Sequence, residues 1–432
     1  MINFIKNIFE KYFINSFFVM FPRVASIIVS LTVLPIILAN LSINDYGKYQ
    51  FVLVIQSWLI LLSGQNITSG AKRGIAKGFN GTFLFAFFAR LRFLVIIGLF
   101  GIAVSFFLYY ICGLIIFSLL LLIIILFLIF GYPFYVSYPE FLVAQKRFKN
   151  LAFWETNTLT IPPLFSAIAA FFTHNILIFI IVYFTSISVI SWIGWLYVVK
   201  KNHLVLAYRK GEIDKECLSF GKKLIPVEII SSSEAQISSF IIAFFFGVAN
   251  LAVFSVADKL RAHLAGFIRR IRTLLYADFA KLEKSKLIGI STLGFKYRKA
   301  FLILILIFLI VCMSIGYLYI KIFLPQIYQM AIVYFLILSL ELPAFILETL
   351  MGTALEANFR YKEITVLLIL PKILEVILII VSGFLFGIIG ICFGIVLGAW
   401  IKAGFYCVLT LKKDLILKLI NKSPLLKKLS NF

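Results

Sequence analysis

Long, nearly uninterrupted hydrophobic runs follow one another along the whole chain, with short polar segments between them. Most are about 20 residues long, the length at which a helix crosses the hydrocarbon core of a bilayer. They lack the strict alternation of barrel strands, so they predict helices. The twelve predicted spans are residues 16–41, 49–65, 91–111, 113–135, 151–172, 176–199, 224–248, 251–274, 300–323, 330–350, 364–386 and 388–409.

Composition agrees with a chain that lives in lipid. Hydrophobic residues make up 62% of it and the mean hydropathy is +1.07, more apolar surface than a soluble fold of 432 residues could bury. No segment has room for a soluble domain. Residues 1–13 are amphipathic, show no signal-peptide cleavage site, and are expected on the cytoplasmic surface.

The basic residues behind the formal net charge of +23 lie mainly in alternate loops between the spans. Basic residues collect after every second span, and the intervening loops carry almost none, which predicts that both termini are cytoplasmic. Topology thus explains the basic patches without nucleic-acid binding. The first four clusters include Lys72, Arg73, Lys77, Arg90 and Arg92; Lys146, Arg147 and Lys149; Lys200, Lys201, Arg209 and Lys210; and Arg269, Arg270 and Arg272.

The two halves of the chain resemble each other. Residues 144–149 and 357–362 both read Ala, amide, any residue, Arg, aromatic, Lys, at an offset of 213 (357 − 144). Three proline pairs keep similar offsets, and the segments after spans one and seven also correspond. We therefore predict an all-α integral membrane fold of two six-helix pseudo-symmetric lobes, residues 1–212 and 213–432. Six spans per lobe make the repeats parallel, and transporters place their substrate between such repeats. The proline pairs are Pro22 with Pro226, Pro133 with Pro343, and Pro162 with Pro371.

Charges inside spans are expensive and so mark candidate functional residues. Arg23 in span one shares a helix face with Ser26 and Ser30, and this face should point inward. The alternative is an arginine that snorkels to the cytoplasmic headgroups. In span eight, Asp258 and Arg261 have the i, i+3 spacing of an ion pair. Lys259 and His263 would then remain as a cationic stripe.

Further charges lie in spans seven, ten, eleven and twelve. Glu234 and Glu341 are candidates for ion coupling, because a buried carboxyl can load and release a proton; a fixed pairing with Lys259 or Lys372 is the alternative. Glu348 follows Glu341 by one heptad. Lys372 and Glu375 have the spacing of a local pair. Lys402 has no acidic neighbour in its helix, which predicts an unpaired cation.

Signals for metal, cofactor or nucleotide chemistry are missing from the sequence. The five cysteines are scattered without CxxC spacing, no HExxH occurs, and no GxxxxGK[ST] loop is present. We therefore expect no cofactor and no enzymatic activity.

Two segments carry a family resemblance. Tyr46-Gly47-x-Tyr49, read as a turn after span one, resembles a signature of the multidrug/oligosaccharidyl-lipid/polysaccharide (MOP) flippase superfamily. Gly247-Val248-Ala249 with residues 254–260 resembles its segment after span seven, although Ala252 replaces an expected glycine. Within the superfamily, the basic balance most resembles the O-antigen (polysaccharide-unit) flippases. The similarity covers essentially the whole chain.

This resemblance implies a flippase of the bacterial inner membrane that serves lipopolysaccharide biosynthesis. Its substrate would be an undecaprenyl-diphosphate-linked oligosaccharide, moved to the outer leaflet by alternating access. Membrane potential, or antiport of H⁺ or Na⁺, would drive transport, and polysaccharide polymerase machinery would be a partner beside membrane lipids. Arg23, Lys259, Arg261, Lys372 and Lys402 are the expected substrate-binding cations.

Three alternatives stay open at this point. A cation-coupled multidrug exporter of the same superfamily would need an acidic cavity, whereas basic residues rival acids inside these spans. A membrane glycan polymerase or ligase would usually carry a sizeable outer loop, which this chain lacks. A pore or structural protein fits poorly with duplicated halves that contain buried charges.

Overall fold

A computed structural model describes residues 2–64, 66–110, 114–216, 219, 236–279, 298–357 and 361–411. Within these ranges every regular element is a helix and no strand occurs. Seven of the described helical segments are long and apolar enough to cross a membrane, and one of them, Ile369–Cys407, covers two predicted spans. The predicted all-helical membrane fold is confirmed, and the chain is a multi-pass membrane protein.

The chain forms two compact units, Met1–Ile229 and Ile230–Phe432. In unit 1, α1 packs extensively against α7, and α8 packs against α5, α6 and α7. The helices of unit 1 are α1 Ile2–Asn40, α2 Ile43–Leu62, α3 Asn66–Ala76, α4 Thr82–Tyr110, α5 Ile115–Phe130, α6 Tyr132–Ala144, α7 Phe148–Thr173, α8 Ile176–Lys201 and α9 Leu204–Arg209.

In unit 2, α14 lies against both α11 and α15 and so connects the charged helices of this unit. The described helices are α10 Gln236–Phe246, α11 Val248–Phe279, α12 Arg298–Phe323, α13 Ala331–Ser339, α14 Leu342–Ala357 and α15 Tyr361–Leu411. Gly387, with φ of 67°, divides α15 into two arms, residues 361–386 and 388–411, which correspond to predicted spans eleven and twelve.

Spans four and ten are each built from two helices separated by a break. The first break lies at Gly131 and the second at residues 340–341. Pro133 and Pro343 each follow directly, at the second position of the new helix, where the missing N–H of proline costs least. Both spans run further than the hydrophobic runs predict, to Ala144 and Ala357.

The two similar hexapeptides both follow helices. In unit 1 one helix ends at Ala144 and the next begins at Phe148. In unit 2 the corresponding residues 358–360 lie outside the described residues, so the repeat stays a prediction from the sequence.

The Tyr46-Gly47-x-Tyr49 segment lies in the first turns of α2, so its description as a turn is wrong. Ser42 caps this helix: its hydroxyl accepts the Asp45 N–H at 3.1 Å and donates to the Asp45 carboxylate at 2.8 Å. A capped helix can begin six residues before the apolar run that predicts the span. The corresponding segment of unit 2 is likewise helical, in α11.

Large apolar side chains cover the outside of the helices. Phe100, Tyr110, Phe172 and Phe384 are each at least 67% exposed. In water such a surface would aggregate, whereas lipid solvates it. The polar groups that matter for function therefore lie inside each unit.

Candidate functional site

Arg261 on α11 is held by two carboxylates. Its Nε and Nη2 donate to Asp258 Oδ1 at 2.8 and 2.6 Å, and its Nη1 donates to Glu341 Oε2. The Asp258 contact confirms the predicted i, i+3 pair. Glu341 lies in the break of span ten, and its recorded partner is Arg261 rather than the predicted Lys259 or Lys372. The Arg261 side chain is only 14% exposed, so these contacts are well shielded from solvent.

Lys402 on the second arm of α15 is also paired. Its Nζ lies 2.6 Å from Glu348 Oε1 of α14, and both side chains are largely buried. The prediction that Lys402 is an unpaired cation is therefore wrong. That prediction considered only the helix of Lys402, whereas the partner belongs to a helix packed against it.

Lys372 and Glu375 form the predicted local pair within the first arm of α15. Lys372 Nζ donates to Glu375 Oε2 at 2.8 Å. Gly398 of the second arm faces Glu375 so closely that a Cβ there would lie 2.2 Å from Glu375 Cγ. A glycine at this position makes room for a carboxylate between two tightly packed arms.

The remaining span-eight cations are not free. Lys259 and His263 are half-buried, and each has an interaction partner. Lys259 and His263 therefore do not form a stripe of free cations. The candidate Glu234 lies outside the described residues, so its role in ion coupling stays a prediction.

Carboxylates pair with three of the cations in the described part of unit 2. Asp258 and Glu341 face Arg261, Glu375 faces Lys372, and Glu348 faces Lys402, which makes four acids against three bases. Pairing offsets part of the desolvation cost of these charges, but an anionic ligand must displace carboxylates to reach the cations.

Arg23 in unit 1 differs from these cations in its exposure. Its side chain is 44% exposed, and its Nη2 lies 3.7 Å from Glu155 Oε1 of α7. Ser26 and Ser30 are half-buried, so the predicted polar face turns only partly toward the interior of the unit. Arg23 is thus accessible to a ligand without first losing a close ion pair.

Arg90 lies inside a helix and not in a loop, which corrects its inclusion in the topological clusters. It lies on α4, which begins at Thr82 rather than at the predicted residue 91, and it is fully buried. Its three guanidinium nitrogens have no hydrogen-bond partner among the described residues. The Arg90 guanidinium carbon lies 4.9 Å from the centroid of the Tyr132 ring, a cation–π contact that offsets part of the desolvation cost.

Substituting Arg90 by methionine is expected to stabilise the protein. Methionine fills a similar volume without a buried charge, and we expect a gain of about 1–3 kcal/mol in the free energy of unfolding. Thermal melting in lipid nanodiscs measures this, with Arg92→Met on the same helix as the exposed control. A lower melting temperature for Arg90→Met than for the control would contradict the prediction.

A cavity of about 270 Å³ lies within unit 1, between α2, α5, α6 and α8. Its lining combines aromatic walls with uncharged polar groups, and none of the lining residues is charged. Tyr49 of this lining packs edge-to-face on Phe179, with ring centroids 5.1 Å apart. The polar lining residues are Tyr49, Tyr132, Tyr135, Tyr183, Gln56 and Ser57.

The residues that the sequence analysis missed depend on contacts between helices. Glu155, Arg90 and Gln56 each owe their role to a neighbour far along the chain or to a cavity. One signal was available for Arg90, because residues 82–89 are mostly apolar and extend the hydrophobic run backward. For Gln56 the only signal in the sequence is a polar residue within an apolar span. That signal does not show what the side chain faces.

Comparisons with known proteins show which families and folds this chain resembles. A family model described as polysaccharide biosynthesis protein matches residues 135–288, about a third of the chain, including the charged part of α11. No curated protein sequence matches the chain significantly.

Solved structures with the same fold include a MATE protein in complex with MaD3S, with a TM-score of 0.63 at 13% identity over 95% of this chain and 97% of that one. A mutant of the Vibrio cholerae MATE transporter VcmN gives a TM-score of 0.57 at 14% identity over 96% and 98%. A MOP superfamily transporter from Pyrococcus furiosus, described as having a binding pocket of reverse polarity, gives 0.62 at 13% identity over 96% and 97%. The chain therefore has the MOP-type transporter fold, as predicted.

Proposed function

We propose that this protein is a transporter that moves undecaprenyl-diphosphate-linked oligosaccharide units to the outer leaflet of the bacterial inner membrane by alternating access. The polysaccharide-biosynthesis match over residues 135–288 is the observation that carries the proposal, because it points to glycan chemistry, which the fold alone does not. The charged helices of unit 2 and the accessible Arg23 support it. Both termini are proposed to be cytoplasmic.

The energetics favour outward movement of an anionic headgroup. A diphosphate carries about two negative charges, and each gains about 2.3 kcal/mol per 100 mV on leaving an inside-negative compartment. A membrane potential can thus drive the step without ATP. The protein must replace the hydration of the diphosphate with cations at close range.

The ion-pair network provides a route for coupling. A diphosphate that binds Arg261 competes with Asp258 and Glu341 for the same guanidinium. A displaced Glu341 would be a buried, unpaired carboxylate, which favours uptake of H⁺ or Na⁺. In this proposal the diphosphate takes the place of Glu341 on Arg261, the displaced carboxylate takes up the cation, and Glu234 remains a second coupling candidate.

A drug-exporter function has weaker support. Lipophilic cations need a carboxylate in their binding cavity, and no residue lining the cavity of unit 1 is acidic. Each carboxylate of the network in unit 2 already faces a lysine or arginine. The fold alone does not discriminate between the two functions.

Deleting the gene and analysing lipid-linked glycans tests the proposal. Completed oligosaccharide-diphosphate lipid should accumulate on the cytoplasmic leaflet, and the wild-type gene should clear it. Unfinished glycans or an unchanged pool would contradict the proposed function. The same deletion strain can be used to measure the flipping activity of variants of the Lys402–Glu348 ion pair.

Exchanging the two charges of this pair distinguishes a role of Lys402 in substrate binding from a role in stabilising the fold. Lys402→Glu alone should destabilise the fold, whereas Glu348→Lys with Lys402→Glu should restore the ion pair and the amount of folded protein. If Lys402 binds the diphosphate, flipping should remain at least tenfold reduced in the reversed pair. Recovery of both folding and flipping would restrict Lys402 to a structural role. Reversal of the more exposed Lys72–Glu140 pair is the control.

A further inference from the structure

Three polar residues that line the cavity of unit 1 have no hydrogen-bond partner among the described residues. Gln56 is only 8% exposed and lines the cavity, yet no described residue hydrogen-bonds its side-chain amide. The hydroxyls of Tyr135 and Tyr183 also have no hydrogen-bond partner among the residues that the structure describes. These groups face the cavity, so water or a ligand that enters it can complete their hydrogen bonds.

The chemistry of the cavity lining restricts the classes of ligand that can bind there. An amide and phenol hydroxyls both donate and accept hydrogen bonds, so they match a ligand that does the same. The lining residues are uncharged, which argues against phosphate, carboxylate or cationic ligands. An acyl chain would leave Gln56 and both hydroxyls unsatisfied.

The aromatic walls favour a compact ring. Phe127, Phe184 and the tyrosines present apolar faces beside the polar groups. A sugar ring has the complementary surface, with C–H groups on its faces and hydroxyls around its edge. Arg90, stacked on Tyr132, helps to fix one of these walls from behind.

From these features we propose that the cavity of unit 1 binds one neutral sugar ring of the transported glycan. The assignment rests on the proposed function for the identity of the glycan, but the binding chemistry stands on the lining itself. In this proposal the cavity holds a sugar residue of the glycan and not the diphosphate. Gln56, Tyr135 and Tyr183 would then determine which glycans are accepted.

Saturation-transfer NMR on the protein in lipid nanodiscs tests the binding directly. Nanodiscs are needed because maltoside and glucoside detergents carry sugar headgroups that would compete. The probes are galactose, N-acetylglucosamine, glucuronate and tetraphenylphosphonium. At least one neutral sugar should bind, with glucuronate and the phosphonium cation much weaker.

Variants locate the site. Gln56→Leu and Tyr135→Phe each remove hydrogen bonds while keeping bulk, and each should weaken binding of the neutral sugar about tenfold. Tyr109→Phe, an exposed tyrosine outside the cavity lining, is the matched control and should leave the affinity unchanged. Equal affinities for Gln56→Leu and the control would overturn the proposal, as would tighter binding of tetraphenylphosphonium than of any sugar.

Two further results separate this proposal from the proposed function. Free sugar and lipid-linked sugar are distinguished by repeating the titration with a short polyprenyl diphosphate that carries no glycan. Its binding should not depend on Gln56. Gln56-dependent sugar binding without glycan accumulation in the deletion strain would refute the flippase function and leave the sugar site standing. Accumulation of glycan without Gln56-dependent sugar binding would support the flippase function and refute the sugar site.

Discussion

Replacing Arg261 by methionine is expected to remove most of the folded protein from the membrane. The substitution leaves Asp258 and Glu341 without the guanidinium that holds both of them. Loss of one partner from a buried ion pair costs about 3–5 kcal/mol, because the remaining charge is desolvated and uncompensated. A typical domain has a free energy of unfolding of only about 5–15 kcal/mol, so the loss is severe.

A triple variant shows whether charge is the cause. Asp258→Asn, Arg261→Met and Glu341→Gln together remove all three charges with little change in volume, and the amount of folded protein should recover. Size-exclusion chromatography of a fluorescent fusion measures both variants. If the single and triple variants were equally depleted, packing rather than charge would explain the loss.

The same variants also address function. The triple variant has lost the guanidinium that is proposed to bind the diphosphate. It should therefore fold but fail to clear lipid-linked glycan in the deletion strain. Normal clearance would remove Arg261 from the proposed binding site.

Replacing Gly390 by alanine is expected to be the second most damaging substitution. The two arms of α15 approach along Gly390, Gly394 and Gly398, which recur every four residues on one face. A Cβ at Gly390 would lie 1.9 Å from the Ser382 carbonyl oxygen, and one at Gly394 would lie 2.8 Å from Ile379 Cα. Backbone atoms cannot rotate away as a flexible side chain can, so the arms would have to separate.

Separation of the arms would also disturb the charged residues that they carry. We expect a loss of about 3 kcal/mol or more in the free energy of unfolding for Gly390→Ala. Gly404→Ala on the same arm is the control, because it is exposed and has no described atom within 4 Å of the added Cβ. The control should gain up to about 1 kcal/mol from helix propensity. Equal melting temperatures for the two variants in nanodiscs would contradict the close approach.

Much of the fold could be predicted because the determining features are local. A hydrophobic run of sufficient length specifies a spanning helix wherever it occurs, and the i, i+3 spacing places Asp258 beside Arg261 and Lys372 beside Glu375 within one helix. Helix ends were less predictable, because caps and proline-linked breaks extend helices beyond their apolar runs.

The candidate site was predicted in its residue types but not in its pairings. Charge and helical spacing indicate Lys402 and Arg23 as candidates, but they do not indicate their partners Glu348 and Glu155. Arg90 was assigned to a loop because a basic residue next to an apolar run is usually topological. The residue pattern of a single helix does not show which side chains of neighbouring helices will pair with its charged residues.

By itself, therefore, the sequence determined that the chain is a multi-helix membrane protein with charges at fixed positions along its spans, since hydrophobicity and helical spacing act within a segment. Tertiary structure alone decided that Lys402 is neutralised, that Arg261 joins two carboxylates, that Arg90 is buried and that Gln56 faces an uncharged aromatic cavity. These outcomes depend on which helices pack together and how closely. That choice reflects the summed contacts of many side chains from distant parts of the chain.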